Sequence, residues 1–272
     1  MTLLVAWAAV DTHGTSSIYI ASDSRISWGT TATFDRGRKV FAFQSYPDVL
    51  GYCGDVLFPS LALSQIVEIG EAGLLFGSSF TGSQKFQAIV KKLNQLVVEY
   101  PSLHAGLAEN SLSIVHASRD TNQAFSCHRI SWTSAKGWSG ESAKLPSTSG
   151  ILFALGSASK DFLENFERYR VGPTKGTSRA VFHCFCDTLV NSGNKTIGGT
   201  PQLVGIIRKS GTPAISYGVI HAEKRTYLGA PVGKLYDSNT IQWRNENFEL
   251  CDGKSGKKLP KARPQPDPFR KS

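Results

Sequence analysis

The hydrophobic period of this sequence changes from about two to about 3.6 and back, twice, and few architectures tolerate that order. Residues 2–10 form an apolar, β-rich run that ends at the turn Asp11-Thr12-His13-Gly14-Thr15. Residues 18–22 read as a second strand, so the chain opens with a hairpin. Residues 39–43 and 49–53 read as two more strands around a Tyr46-Pro47-Asp48 turn. The period then lengthens. Asp55 caps a helix that runs to about Ile69, with Pro59 tolerated in its first turn. Phe86, Ile89, Val90, Leu93, Leu96 and Val97 trace one face of a second helix, which Pro101 ends. Strands return at 112–117, 123–130 and 151–155, with the Ser-, Lys- and Gly-rich stretch 132–149 read as a long surface loop. Residues 160–169 and 178–190 are helical, and strands at 203–207 and 214–220 close a hairpin around Lys209-Ser210-Gly211. Strands, two helices, strands, two helices, strands predict an α+β chain. Its simplest packing is a four-layer αββα sandwich, two sheets face to face with a helix pair on each outer side.

No internal repeat is visible. Composition shifts near Gly229, so residues 1–228 are expected to form one domain. Residues 229–253 read as a C-terminal extension docked through Trp243, Phe248 and Leu250. Residues 254–272, KSGKKLPKARPQPDPFRKS, read as a disordered basic tail rich in proline. That tail carries much of the net charge of +9. Neither stacking aromatics nor a reader motif accompanies it, which disfavours nucleic-acid binding. The longest apolar runs are too short to span a bilayer, and the start of the chain lacks the basic region of a signal peptide. A cytoplasmic protein without a membrane partner is the expectation. The five cysteines are scattered and odd in number, which fits reduced thiols. Neither they nor the six histidines show metal-ligand spacing, so no metal or cofactor is expected.

Three segments carry candidate chemistry. Thr2 follows the initiator Met1, and a small second residue lets an aminopeptidase expose it. Its α-amine would then titrate near pH 8 and take the proton of its own hydroxyl, so one residue supplies nucleophile and base. Ala21-Ser22-Asp23-Ser24-Arg25 and Gly37-Arg38-Lys39-Val40-Phe41 place a carboxylate and an amine at strand ends. A buried Lys39 beside the nucleophile would favour the neutral amine and stabilise an alkoxide, and it needs Asp23 to hold it.

These segments resemble those of a proteasome β-subunit, or of the peptidase subunit of the bacterial ATP-dependent two-component protease. Both are N-terminal-nucleophile (Ntn) hydrolases. The shared features are the N-terminal Thr strand, the Ile18-Tyr19-Ile20-Ala21-Ser22-Asp23-Ser24-Arg25 segment, the Lys39-Val40-Phe41 strand, and Gly54 after an apolar strand. The resemblance implies that Thr2 attacks an amide carbonyl, Lys39 tunes it and Asp23 orients Lys39. It further implies that the Gly54 N–H serves an oxyanion hole and that the Ser27 main chain pairs with an extended substrate. Tyr52 and Cys53, beside Gly54, are candidates for lining the substrate pocket. Ala154-Leu155-Gly156-Ser157 resembles the segment whose Ser supports the terminal amine, which assigns Ser157. Gly198-Gly199 resembles the end of an Asp-x-x-Ser-Gly-Gly motif. There Asn194 takes the acidic position and Ile197 the Ser position, with Thr196 next to it. Implied partners are a peptide or other amide substrate, further copies of the chain in a closed ring, and an unfoldase or regulatory protein. Three other readings stay open: an inactive scaffold with this fold, a small-amide hydrolase, and a nucleic-acid-associated protein acting through the basic tail.

Overall fold

The computed structural model describes residues 2–29, 31–101, 112–133, 135–233 and 240–260. The chain opens with β1 (Leu4–Asp11), β2 (Gly14–Ser22), β3 (Ile26–Trp28), β4 (Ala32–Phe34), β5 (Val40–Ala42) and β6 (Asp48–Gly54). Two helices follow, α1 (Leu57–Glu71) and α2 (Gly82–Glu99). Next come β7 (Leu112–Arg119), β8 (Phe125–Thr133), β9 (Gly137–Ser142) and β10 (Gly150–Leu155), then α3 (Ser159–Val171) and α4 (Ser178–Asn191). The last elements are β11 (Gln202–Ile207), β12 (Ile215–His221), β13 (Lys224–Tyr227), β14 (Ala230–Pro231), β15 (Trp243–Asn245) and β16 (Leu250–Cys251). The larger sheet runs β10-β1-β2-β11-β12-β13-β14, with β15 and β16 attached alongside β12. The smaller runs β5-β6-β7-β8-β9, and β3 pairs with β4 in a short separate hairpin.

β1 shows why the elements stack as they do. Its alternate side chains point to opposite faces of the sheet, and both faces are apolar. Leu3, Val5, Trp7 and Ala9 enter a core shared with Phe162 of α3 and with Val181, Phe182 and Phe185 of α4. Leu4, Ala6 and Ala8 enter a second core, against Val40, Ala42, Val49, Val115 and Ala117 of the smaller sheet. That sheet turns its other face, including Phe41, Leu50 and Ile114, to a third core completed by Phe58, Leu63 and Ile66 of α1 and by Phe86, Ile89 and Leu93 of α2. The two sheets approach closely at Gly51, where an added Cβ would sit 2.8 Å from Ile20 and 2.9 Å from Leu4. At α1 the Asp55 carboxylate accepts the Phe58 N–H at 3.1 Å, and α2 begins with a Thr81/Gln84 capping box. No helix among the described residues is long and apolar enough to cross a membrane.

Two expectations need correction. Residues 132–149 are not all loop: β8 runs to Thr133, and β9 pairs with it from Gly137 to Ser142. β9 is a polar edge strand held mainly by main-chain bonds, so its sequence lacks the alternating apolar signal of a half-buried strand. Residues 254–260, assigned to a disordered tail, include a turn and a β-bridge. The Gly256 N–H reaches Asp252 O at 2.8 Å, Lys258 bridges to Cys251, and the Leu259 N–H reaches Leu250 O at 2.9 Å. Residues 261–272 of that tail lie outside the described residues. Upstream, Trp243 lies over Gly218, whose missing side chain makes room for the indole. Phe248 packs against Trp7, Tyr19 and Phe182.

A buried polar cluster ties α2 to the smaller sheet. Asp48 accepts from Lys85 Nζ at 2.6 Å and lies 2.9 Å from His116 Nε2. Burial alone would push the Asp48 carboxyl up, but His116 and Lys85 hold it below its ordinary value. His128 stacks on Phe86, and burial, with His116 nearby, pushes its ring down to about 4. An unfolded histidine takes up its proton near pH 6.5, so between there and about 4 the unfolded chain binds more protons than the folded one. Stability from His128 therefore falls as pH drops through that window, and stability from Asp48 falls at still lower pH. Thermal melts between pH 7 and 4 should show this decline, and His128→Gln should flatten its upper part. An unchanged slope in that variant would remove His128 as its cause.

Candidate active site

Each side chain near Thr2 is placed by a strand ladder. The β1–β2 pairing ends with Asp23 beside Leu3: the Asp23 N–H donates to Leu3 O at 3.2 Å, and the Leu3 N–H donates to Asp23 Oδ1 at 3.1 Å. On the other side of β1, β10 delivers Gly156 and Ser157 to Thr2. Gly156 adopts φ +95°, and a Cβ there would meet the Thr2 carbonyl oxygen at 2.0 Å. Only glycine admits that approach. Pairing of β11 with β2 brings the 198–202 segment to Asp23, whose Oδ2 accepts the Gly198 N–H at 3.2 Å.

Lys39 enters from the start of β5, and its side chain is fully buried. Its ammonium donates to Asp23 Oδ1 at 2.8 Å, to Arg25 O at 2.5 Å and to Thr2 Oγ1 at 3.0 Å. Three acceptors match its three protons. Burial pushes the Lys39 ammonium down from the ordinary lysine range, and Asp23 pulls it back up. Burial pushes the Asp23 carboxyl up, while Lys39 and the N–H groups of Leu3 and Gly198 pull it back down. The Arg25 N–H adds a further donor at 3.2 Å.

The Thr2 nitrogen donates to Ser157 Oγ at 3.3 Å, and Ser157 Oγ lies 2.7 Å from Thr196 Oγ1. Asn194, which the resemblance puts at the acidic position of the motif, connects to Thr2 through Thr196 and Ser157. Its Oδ1 accepts from Thr196 Oγ1 at 2.6 Å, two hydroxyls away. Thr196, rather than Ile197, supplies the hydroxyl, and Ile197 is buried in the core of the helix-covered face. Gly54 ends β6 at φ +100°. Ser27 lies in β3, opposite Thr33 of β4. Tyr52 is not placed to line a pocket: its ring is buried in the α1–α2 core and its hydroxyl donates to Arg38 O at 3.1 Å. Cys53 is buried between the sheets, where burial pushes its thiol up to about 11 and leaves almost no thiolate at neutral pH.

Sequence reasoning missed the residues that brace this cluster. Gln202, fully buried, accepts the Lys39 N–H at 3.0 Å and donates to Asp23 O at 3.0 Å and to Gly37 O at 2.8 Å. Arg25 forks onto Asp35 at 2.7 and 2.8 Å. The Ser24 hydroxyl donates to Asp35 O, and the Thr200 N–H donates to Ser24 Oγ. A glutamine in an apolar strand was the available signal, since a buried amide must find partners.

No family model matches the sequence, and no curated protein does. Solved structures do. Anbu (ancestral beta-subunit) from Yersinia bercovieri is 11% identical, with a TM-score of 0.54 over 78% of this chain and 86% of that one. The Anbu complex from Pseudomonas aeruginosa, described as a helical assembly, is 17% identical, with a TM-score of 0.58 over 83% and 87%. A mutant Anbu from Hyphomicrobium sp. strain MC1 is 15% identical, with a TM-score of 0.51 over 85% and 88%. At these identities the likeness shows the fold alone, one shared with the Anbu structures.

Removing Lys39 would strand Asp23 in a dry interior. Lys39→Ala should therefore lose about 3–5 kcal/mol in equilibrium denaturation, whereas Asp23→Asn/Lys39→Met should lose less because it leaves no bare charge. A Lys39→Ala variant as stable as the parent would show that the pair is not needed for the fold.

Proposed function

We propose that this chain is a threonine-type Ntn hydrolase that cleaves an amide bond through an acyl ester on Thr2. The observation that carries the reading is the buried Lys39 ammonium 3.0 Å from Thr2 Oγ1, held by Asp23 at 2.8 Å. An ammonium fixed against a hydroxyl stabilises the alkoxide as it forms. The low dielectric around it strengthens that effect.

In this reading, removal of the residue ahead of Thr2 converts its amide nitrogen to an amine. The amine takes the hydroxyl proton, and Oγ1 attacks the substrate carbonyl carbon. The negative charge that develops on the carbonyl oxygen is met by the Gly54 N–H at the end of β6, a donor typically worth about 3 kcal/mol. The protonated amine passes its proton to the leaving nitrogen, the C–N bond breaks, and the acyl ester remains. Water, deprotonated by the same amine, then releases the acid and restores Thr2. Cys53 has no place in these steps, because its thiol stays protonated at neutral pH.

The three apolar cores, one between the sheets and one under each helix pair, support the αββα sandwich of this class. Residues 1–228 form its catalytic unit, and 229–253 complete one core through Phe248 and bury Trp243 against β12. Assembly from several copies fits the Anbu complex described as a helical assembly. A peptide is the favoured substrate: the short β3–β4 hairpin, with Ser27 half-buried in β3 and β4 exposed, follows Asp23 and offers strands for strand addition. An unfoldase or regulatory partner would then deliver it.

Intact-mass and N-terminal analysis, before and after a peptide epoxyketone, tests the reading. Loss of Met1 and a single adduct on Thr2 are the expected result. Thr2→Ala should take no adduct and lose at least about 10³-fold in peptide-amide turnover while keeping its fold. Undiminished turnover in that variant would eliminate Thr2 as the nucleophile.

A further inference from the structure

The hydrogen bonds beyond Ser157 run in one direction. The Asn194 side-chain amide has a fixed orientation, because its Oδ1 accepts the Thr196 N–H at 3.0 Å and a backbone N–H can only donate. The same oxygen accepts the Thr196 hydroxyl proton at 2.6 Å. With that proton committed, Thr196 Oγ1 accepts from the Ser157 hydroxyl at 2.7 Å. Ser157, its own proton committed in turn, accepts from the Thr2 nitrogen at 3.3 Å. At the far end Asn194 Nδ2 donates to Asp161 Oδ2 at 3.3 Å. Asp161 is half-buried in the first turn of α3, where a helix favours a carboxylate. Every donor between Thr2 and Asp161 therefore points toward Asp161.

We propose that Asp161 is a positioning residue for the Thr2 amine, its negative charge carried to that amine through Asn194, Thr196 and Ser157. The inference rests on the reading of Thr2 as an N-terminal nucleophile. A carboxylate at one end of such a chain polarises each bond in turn and makes Ser157 a stronger acceptor. Ser157 then holds one N–H of the amine and leaves its lone pair to the Thr2 hydroxyl. The same pull stabilises the protonated amine that must later deliver its proton to the leaving group. On the other side of Thr2 the hydroxyl accepts from Lys39, which Asp23 holds, and the variants below leave that pair in place. Asp161 shares a surface hollow between α3 and α4 with Glu164, Arg168 and Asp187, so its charge is one of several there. The relay, and not proximity alone, must make Asp161 distinct.

The measurement is an NMR pH titration of the Thr2 amine in ¹⁵N-threonine-labelled protein. It covers the parent, Asp161→Asn, Thr196→Val and the double variant. Weaker support for the ammonium lowers its titration midpoint. Asp161→Asn and Thr196→Val should each shift it down by roughly half a pH unit. The double variant should shift no further than Thr196→Val alone, because a broken relay no longer transmits the charge. Asp161→Glu and Thr196→Ser, which keep the carboxylate and the hydroxyl, should titrate near the parent. The acid limb of epoxyketone adduct formation should move to lower pH in parallel. A midpoint unchanged in Asp161→Asn overturns the relay while leaving Thr2 as nucleophile. So does an Asp161→Asn shift of equal size with and without Thr196, which would be a direct field effect. A purified protein without an N-terminal Thr2 amine overturns both readings.

Discussion

The ion pair between Asp23 and Lys39 is the contact on which the rest of this structure depends. Both side chains are fully buried, and two charges removed from water must be matched almost completely or the fold loses several kcal/mol. The chain meets that requirement from many directions. Asp23 receives N–H groups from Leu3, Arg25 and Gly198, while Lys39 gives its protons to Asp23, to Arg25 O and to Thr2. The pair thereby ties together the start of β1, the end of β2, the entry to β5 and the loop before β11. Gln202 reinforces the joint by bonding both partners' main chains. A site that could be displaced by a small shift of any one strand is held by four segments at once. Such rigidity is what a preorganised catalytic group requires.

Around this joint the cores do complementary work. β1 lies inside the larger sheet between β10 and β2 and buries both of its faces, so its start has little freedom to move. Trp7 anchors the helix-covered face through contacts with Tyr19 and Phe182. Phe248, from far along the chain, joins the same aromatic group. The C-terminal segment is thus part of the packing that fixes the strand leading from Thr2. In the opposite core Leu4 and Ile20 close over Gly51, which keeps the sheets near enough for Lys39 to reach across.

The polar chain from Ser157 to Asp161 links α3 to the segment beside Thr2 through side-chain hydrogen bonds. The resemblance puts Asn194 at an acidic position of the motif, and in the structure its Nδ2 donates to the carboxylate of Asp161 in α3. Thr196, one residue off the spacing that the glycines suggested, is the residue whose hydroxyl meets Ser157. A loop that turns at Gly198 and Gly199 can present its neighbours in a register that no residue count reveals.

Much of the architecture was legible in order and period. The two helix pairs and most of the paired strands follow from alternation and from the 3.6-residue repeat, because burial of one or both faces dictates those patterns. Thr2, Asp23 and Lys39 were legible as candidates because a terminal Thr can be nucleophile and base, a buried lysine needs a carboxylate, and their segments resemble those of a proteasome β-subunit. β9 was not legible, because a polar edge strand is held by backbone bonds that leave little mark on composition. Nor was the burial of Tyr52 away from Thr2, because one position along a strand sends a side chain to the other face. Gln202, Thr196 and Asp161 became neighbours of the site only through ladders and a loop that join segments more than a hundred residues apart. Local sequence determined which segments are strands and helices and which residues have reactive chemistry. Tertiary structure decided which of those residues meet, because hydrogen bonds and ion pairs depend on ångström distances that sequence separation does not encode.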